Sequence, residues 1–178
     1  MTGNNPSVGC ILVKDGRVIG RGWTQSGGRP HAEAVALAQA GAKAEGATAY
    51  VSLEPCAHES DRGPACAEAL IAARPARVVA ALTDPDPRTA GKGFAKLAAA
   101  GIVVEHDVLP DAARQSLTGF LTRIGKARPH VTLKLATSLD GCIALADGSS
   151  RWITGEPARA HAHLERARCD AILVGANT

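Results

Sequence analysis

The sequence predicts an α/β fold in three layers, with helices on both faces of a sheet, followed by the opening of a second domain. Two observations support this prediction. Predicted strands alternate with predicted helices up to residue 124, and a break at residues 125–129 then precedes a new strand. Because such alternation is typical of layered α/β domains, we expect two domains, at residues 1–125 and 126–178.

The first domain is predicted to begin with a β-hairpin. Asp15-Gly16 separates two apolar stretches, and an Asp-Gly pair accepts the positive φ angles of a tight turn. Apolar patterns, caps and breakers predict the elements that follow. These are helices at 31–44, 65–73, 94–100 and 110–124, and strands at 48–53, 77–82 and 102–108.

The second domain is predicted to open with a strand at 130–141, and a further helix and strand lie within 152–175. Only 49 residues follow the break at residue 129. A segment of this length is too short to close its own sheet or core. We therefore expect the chain to be a piece of a longer protein.

Composition and charge exclude several classes of function. Aromatic residues make up 3% of the chain, so small aliphatic side chains must fill the core. The net charge of +3 comes without a basic run, which disfavours nucleic-acid binding and favours a small-molecule substrate. The chain has neither an apolar membrane span nor a signal peptide, so a cytoplasmic location is expected. Without a secretory signal, five cysteines indicate metal ligands or free thiols rather than disulfides.

Three residues are candidate ligands of a catalytic zinc ion, namely His31, Cys56 and Cys66. Such an ion takes three protein ligands and leaves a fourth position open. Glu33 is the candidate proton carrier. Taken singly, the His fits a solvated cap and each Cys fits core packing. Taken together, they match the H-x-E…P-C…C signature of zinc deaminases.

The loop between the two cysteines distinguishes this chain from simple nucleoside deaminases. Nine residues separate Cys56 from Cys66, whereas the signature has a C-x-x-C spacing. The loop carries His58 and Arg62, which suit contacts to an anionic group such as a phosphate. The competing interpretation is a solvated turn.

Several motifs resemble a known family. NPSVGC, HAEAVAL, GATAYVSLEPCAH, RGPAC and AGKG resemble the deaminase half of the bifunctional riboflavin-biosynthesis deaminase/reductases. LKLATSLDG, SSRWITG and DAILVGANT resemble the start of that family's reductase half. The resemblance implies a cytidine-deaminase-like α/β/α zinc domain followed by the start of a dihydrofolate-reductase-like α/β domain. Asn4 and Thr24 depart from the family's Pro and His.

The resemblance also implies an activity. The zinc domain would hydrolyse the 2-amino group of 2,5-diamino-6-(ribosylamino)-4(3H)-pyrimidinone 5'-phosphate to give 5-amino-6-(ribosylamino)uracil 5'-phosphate. In the full-length protein, NADPH would then reduce the ribosyl group to ribityl. By motif position the substrate residues are Asn5, His58, Arg62, Asp84 and Lys92 in the first domain and Ser150 and Arg166 in the second; the NADP residues are Ala136, Trp152 and Thr178.

Three alternatives stay open. The first domain fits another zinc deaminase, acting on a nucleoside, a base or a tRNA base, or a non-catalytic binding module that zinc stabilises. The C-terminal segment fits a reductase fragment or an interaction appendage. The sequence leaves both a monomer and a homo-oligomer open.

Overall fold

The computed structural model describes residues 2–58, 60 and 63–176. Two candidate site residues, Arg62 and Thr178, lie outside the described residues. Contacts within the chain form two units, Met1–His130 and Val131–Thr178, and each is described by itself.

A five-stranded mixed sheet forms the frame of the first unit. Its strands are β1 (Gly9–Lys14), β2 (Arg17–Trp23), β3 (Thr48–Val51), β4 (Arg77–Ala80) and β5 (Val103–Glu105), in the order β2-β1-β3-β4-β5. β1 pairs antiparallel with β2 and β3, whereas β3, β4 and β5 run parallel. The predicted hairpin turn is confirmed, with φ of 50° at Asp15 and 71° at Gly16.

Five α-helices connect or follow these strands. They are α1 (Ala32–Ala40), α2 (Cys66–Ala73), α3 (Lys92–Ala99), α4 (Pro110–Ser116) and α5 (Thr118–Lys126). The helix predicted at 110–124 is thus two helices. The chain breaks at Leu117, which has a non-helical ψ of 7° and is fully buried.

Close packing of α1 against the β1–β2 hairpin fixes the position of the N-terminus of that helix. The side of the sheet that carries Gly20 and Gly22 faces α1, and both glycines lie almost in contact with the helix backbone. On the same face, Cys10 pairs with Gly22 and Leu12 pairs with Gly20. The core is mainly aliphatic, as the composition predicts; its largest fully buried side chains include Leu12, Leu53, Leu70, Leu97 and Val78.

The opposite face of the sheet is open over much of its area. Ile11, Val18, Trp23, Tyr50 and Val103 are all at least 41% exposed. The mixed sheet and its helices confirm the predicted α/β class, although the helices in the described ranges leave these side chains uncovered. No described helix is long and apolar enough to cross a membrane.

The second unit contains one α-helix among its described residues, α6 (Glu156–Ala167). The strands predicted at 130–141 and near the end of the chain are not formed. A strand needs a neighbour to take its backbone hydrogen bonds, and residues 131–176 supply none. No residue between 131 and 176 is buried, so this unit has no core of its own.

Candidate active site

His31, Cys56 and Cys66 come together although they lie on three different segments. His31 is the N-cap residue of α1, and Cys66 is the first residue of α2. Cys56 follows β3 in a loop, but its sulfur accepts a hydrogen bond from the Cys66 N–H at 3.2 Å. All three residues therefore lie at helix N-termini, where the helix dipole favours thiolates.

The spacing of the ligand atoms fits a zinc ion. His31 Nδ1 lies 3.2 Å from Cys66 Sγ and 3.6 Å from Cys56 Sγ. Tetrahedral zinc places a nitrogen and a sulfur ligand about 3.5 Å apart. One imidazole and two thiols also form the donor set that zinc prefers. Among the described residues this is the one group of three or more such side chains with a metal-binding arrangement.

The two thiols have very different proton affinities. A hydrogen bond from Cys66, opposed by burial, lowers the pKa of Cys56 to about 4. The same hydrogen bond, together with burial, raises the pKa of Cys66. A metal ion that binds both sulfurs as thiolates displaces the thiol protons.

Glu33 lies beside these ligands in the first turn of α1 and is 3% exposed. Burial raises the pKa of its carboxyl group, with a smaller contribution from the charge of Cys56. Glu33 also hydrogen-bonds to Cys66. A carboxyl group with a raised pKa suits a residue that must accept a proton and then release it.

The ligand cluster borders a cavity of about 330 Å³, with His31 and Cys56 on the cavity wall. The cavity wall combines the N-terminal loop, the start of α1, the loops after β3 and β4, and α5. Its lining includes Asn4, Asn5, Arg29, His31, Glu33, Cys56, His58, Asp84, Asp86, Arg88, Phe120 and Arg123. The site therefore has the volume and the mixed polar surface of a small-molecule site.

Three of the predicted substrate residues line this cavity. The Asn5 side-chain amide donates to Gly28 O at 2.8 Å, which orients its oxygen as an acceptor. His58 Nδ1 is hydrogen-bonded to Thr89 Oγ1 at 3.2 Å. Asp84 is buried, and burial together with nearby Asp86 and Glu54 raises its pKa to about 6.

Lys92 is not brought to the cavity. Its side chain is exposed, and its ammonium group donates to Pro87 O at 2.8 Å. This hydrogen bond joins Lys92, the first residue of α3, to the loop that precedes the helix.

The cavity also contains three arginines that the sequence did not single out. The Arg88 guanidinium donates hydrogen bonds to both carboxylate oxygens of Asp86, which lowers the pKa of Asp86 to about 2. Arg29 donates to Pro64 O at 3.4 Å, and Arg123 donates to Asn4 O at 2.8 Å. Neither Arg29 nor Arg123 lies in a recognised motif; Arg29 is two residues before His31, whereas only the fold brings Arg123 to the cavity.

The candidate residues of the second unit are mostly exposed. Ser150 and Trp152 line a second cavity, which Ala136 and Arg166 do not reach. Trp152 is 70% exposed, with the guanidinium groups of Arg151 and Arg159 at 5.8 and 4.7 Å from its ring centre. The NADP and substrate roles of these residues stay predictions.

The mixed sheet, with one His and two Cys at helix N-termini beside a buried Glu, defines a zinc-binding domain of the nucleotide-deaminase class. Residues 1–82 match the cytidine and deoxycytidylate deaminase zinc-binding region, and residues 129–178 match the RibD C-terminal domain. The chain belongs to the family of the riboflavin biosynthesis protein RibD.

Individual relatives agree with this membership. The chain is 51% identical to RibD of Escherichia coli K12 over 98% of its own length and 47% of the relative's. Among solved structures, Acinetobacter baumannii RibD, form 1, has a TM-score of 0.82 at 51% identity, covering 93% of this chain and 46% of that one. A deaminase/reductase from Thermotoga maritima has a TM-score of 0.83 at 40% identity, over 91% and 46%. The chain spans about half the length of the relatives that it matches.

Proposed function

We propose that the first unit hydrolyses the 2-amino group of 2,5-diamino-6-(ribosylamino)-4(3H)-pyrimidinone 5'-phosphate, with His31, Cys56 and Cys66 as zinc ligands. Water is consumed, ammonia leaves, and the amine-bearing carbon becomes a carbonyl. The observation that supports this proposal is the position of Glu33, a buried carboxyl group that lines the same cavity as His31 and Cys56 and lies beside the cluster that these two residues form with Cys66.

Each step of the chemistry has a candidate residue. When bound, zinc supplies a water molecule that ionises near neutral pH. Glu33 would accept one proton of that water and deliver it to the ring nitrogen, and would then take the proton of the new hydroxyl group on carbon and deliver it to the departing amine. The side chain of Asn5, held by Gly28 O, accepts a hydrogen bond from the heterocycle. Its fixed orientation lowers the entropy that substrate binding must overcome.

The phosphate group of the substrate has candidate partners in the same cavity. The described hydrogen bonds of Arg29 and Arg123 go to backbone carbonyl oxygens, so neither charge is neutralised by a described carboxylate. Guanidinium groups bind phosphate through paired hydrogen bonds. These two residues, with His58, support a phosphorylated substrate over a free nucleoside or base.

The second unit is proposed to be the start of the NADPH-dependent reductase domain, with a boundary at residues 125–126. The end of α5 at Lys126 and the division of contacts at His130 support a boundary in this region. Because residues 131–176 have no buried side chain, we expect NADPH to bind this chain with a Kd weaker than about 1 mM. Fluorescence titration measures this, and saturable micromolar binding would contradict it.

We also propose a cytoplasmic location, because zinc ligation by thiolates needs reduced cysteines and all five cysteines are free.

The proposed activity is tested by ammonia release from the phosphorylated pyrimidinone, from cytidine and from guanine. The pyrimidinone should react fastest, and faster release from cytidine or guanine would overturn the substrate assignment. Glu33→Gln should retain one zinc per chain and lose about 10³-fold or more in kcat. A variant with unchanged turnover would exclude Glu33 as the proton carrier, and a variant without zinc would show that Glu33 holds the metal site together.

A further inference from the structure

One buried carboxylate has no role in the proton transfer described above. Glu54 precedes Pro55 and the zinc ligand Cys56, and its side chain is 3% exposed. Its own N–H donates to Leu82 O at 2.8 Å, which continues the pairing of β3 with β4 beyond the ends of both strands. Glu54 therefore lies at the point where the metal-bearing loop leaves the sheet.

The carboxylate of Glu54 accepts hydrogen bonds from four backbone N–H groups of one segment. Its Oε2 atom accepts from Asp84 at 3.1 Å and from Gly91 at 3.0 Å. Its Oε1 atom accepts from Gly93 at 2.9 Å and from Phe94 at 3.3 Å. These donors lie at the two ends of the segment 84–94, so one side chain joins the end of the β4 region to the first turn of α3.

The segment 84–94 forms one wall of the active-site cavity. Asp84, Asp86 and Arg88 line the cavity directly. The buried hydroxyl of Thr89 hydrogen-bonds to the His58 ring at 3.2 Å and accepts from the Ala57 N–H at 3.5 Å. The position of this segment therefore sets the positions of three lining residues and the orientation of His58.

The same segment is packed tightly against the metal-bearing loop. A Cβ atom added at Gly93 would lie 2.1 Å from Pro55 O, so α3 has almost no freedom to move toward the loop. The hydrogen bonds that the Glu54 carboxylate accepts from this segment oppose the reverse movement. Packing and hydrogen bonding together fix the distance between Cys56 and the wall.

We propose that Glu54 is a positioning residue for substrate binding, which holds the cavity wall of Asp84, Asp86, Arg88 and His58 at a fixed distance from the metal ligands. This inference rests on the proposed function. Glu54 itself borders the cavity, but the described hydrogen bonds of its carboxylate come from backbone N–H groups of the wall, which suits a role in holding the wall rather than in proton transfer. Loss of Glu54 should therefore weaken substrate binding more than it slows the chemical step.

Glu54→Gln tests this proposal with minimal change in shape. An amide keeps one acceptor oxygen, so two of the four N–H donors would face an NH₂ group whichever way the amide turns. We expect KM for the phosphorylated pyrimidinone to rise at least about tenfold, kcat to stay within about threefold and zinc to stay at one per chain. The matched control is Glu68→Gln, an exposed carboxylate paired with Lys96 on α3, which should behave as wild type.

Hydrogen exchange supplies a second readout that is independent of activity. In Glu54→Gln the amides of Asp84, Gly91, Gly93 and Phe94 should exchange at least about tenfold faster, while those of β1 and β3 stay protected. If this variant is recovered unfolded, Glu54→Asp carries the same test, since it keeps both acceptor oxygens on a shorter side chain. An intermediate rise in KM is then expected.

Each remaining outcome contradicts the proposal in a different way. A fall in kcat at constant KM would place Glu54 in the chemistry, and loss of zinc would make it a support of the metal loop. Wild-type kinetics and exchange would show that the four hydrogen bonds do not position the wall. Failure of the proposed function is separate, because the wild-type protein itself would then not deaminate the phosphorylated pyrimidinone.

Discussion

Gly22→Ala should damage the active site without touching any residue that lines it. Gly22 lies on β2, beneath the first turn of α1. A Cβ atom there would lie 2.0 Å from Ala32 O and 2.7 Å from Ala36 N. Both are backbone atoms of a helix, which no side-chain rotation can move aside. Ala32 lies between His31 and Glu33, so the start of α1 must shift with both functional residues.

The size of the shift follows from these distances. Real Cβ contacts are essentially never shorter than 3.0 Å, so a contact of 2.0 Å requires a movement of about 1 Å. Overpacking of this kind costs about 1–3 kcal/mol of stability. Misplacement of catalytic groups by about 1 Å lowers turnover by about 10²-fold. We expect both effects in Gly22→Ala, with the larger consequence in kcat.

Two matched variants separate the local shift from general damage. Gly20→Ala places its Cβ atom 2.3 Å from Ala36 O, one turn further along α1, so it should lose similar stability but less activity. Gly9→Ala on β1 meets nothing within 4 Å and should behave as wild type. Urea unfolding, zinc content and ammonia release measure the three quantities. Wild-type turnover in folded Gly22→Ala, or equal losses of activity in the Gly20 and Gly22 variants, would refute the reasoning.

Two further expectations concern stability and metal. Because burial raises the pKa of Asp84 to about 6, the folded, zinc-free protein holds a proton that the unfolded chain releases near pH 4. Raising the pH from about 4 to about 6 should therefore lower the free energy of unfolding of the wild type by up to about 3 kcal/mol through this group. Asp84→Asn has no such group to titrate, so this part of the decrease should be absent. Urea unfolding across this pH range checks it, and parallel pH profiles would contradict it. Chelation of zinc should abolish ammonia release, and added zinc should restore it; activity that persists in metal-free protein would exclude a catalytic metal.

The cluster of candidate metal ligands could be predicted from the sequence because each of its residues lies in a short motif whose residue types suit one chemistry. His31 and Glu33 share one helical turn, and Cys56 follows the Pro that ends a strand region. The rest of the cavity depends on chain topology. Arg123 contacts Asn4 across a separation of 119 residues, and no local pattern predicts that meeting. Glu54 was also missed, since a lone Glu in a loop gives no sign that it will be buried.

The strands predicted in the second unit show a different limit of prediction from sequence. The apolar residues of 131–135 have the pattern of a strand, yet Val131, Leu133 and Leu135 are at least 64% exposed. Strand propensity reflects packing against neighbours more than a property of the backbone alone. Where the described residues offer no neighbouring strand, the pattern has nothing to pair with, and the prediction from sequence is wrong for this chain.

Because α5 contributes to the cavity wall, the site is completed late in protein synthesis. All three candidate metal ligands and Glu33 have left the ribosome once residue 66 is outside, but the side chains of Phe120, Arg123 and Ile124 complete the cavity wall much later. Contacts between distant parts of a chain form slowly, and domains fold from the N-terminus as synthesis proceeds. The nascent chain therefore holds a complete set of metal-binding side chains before it has a closed pocket for the substrate.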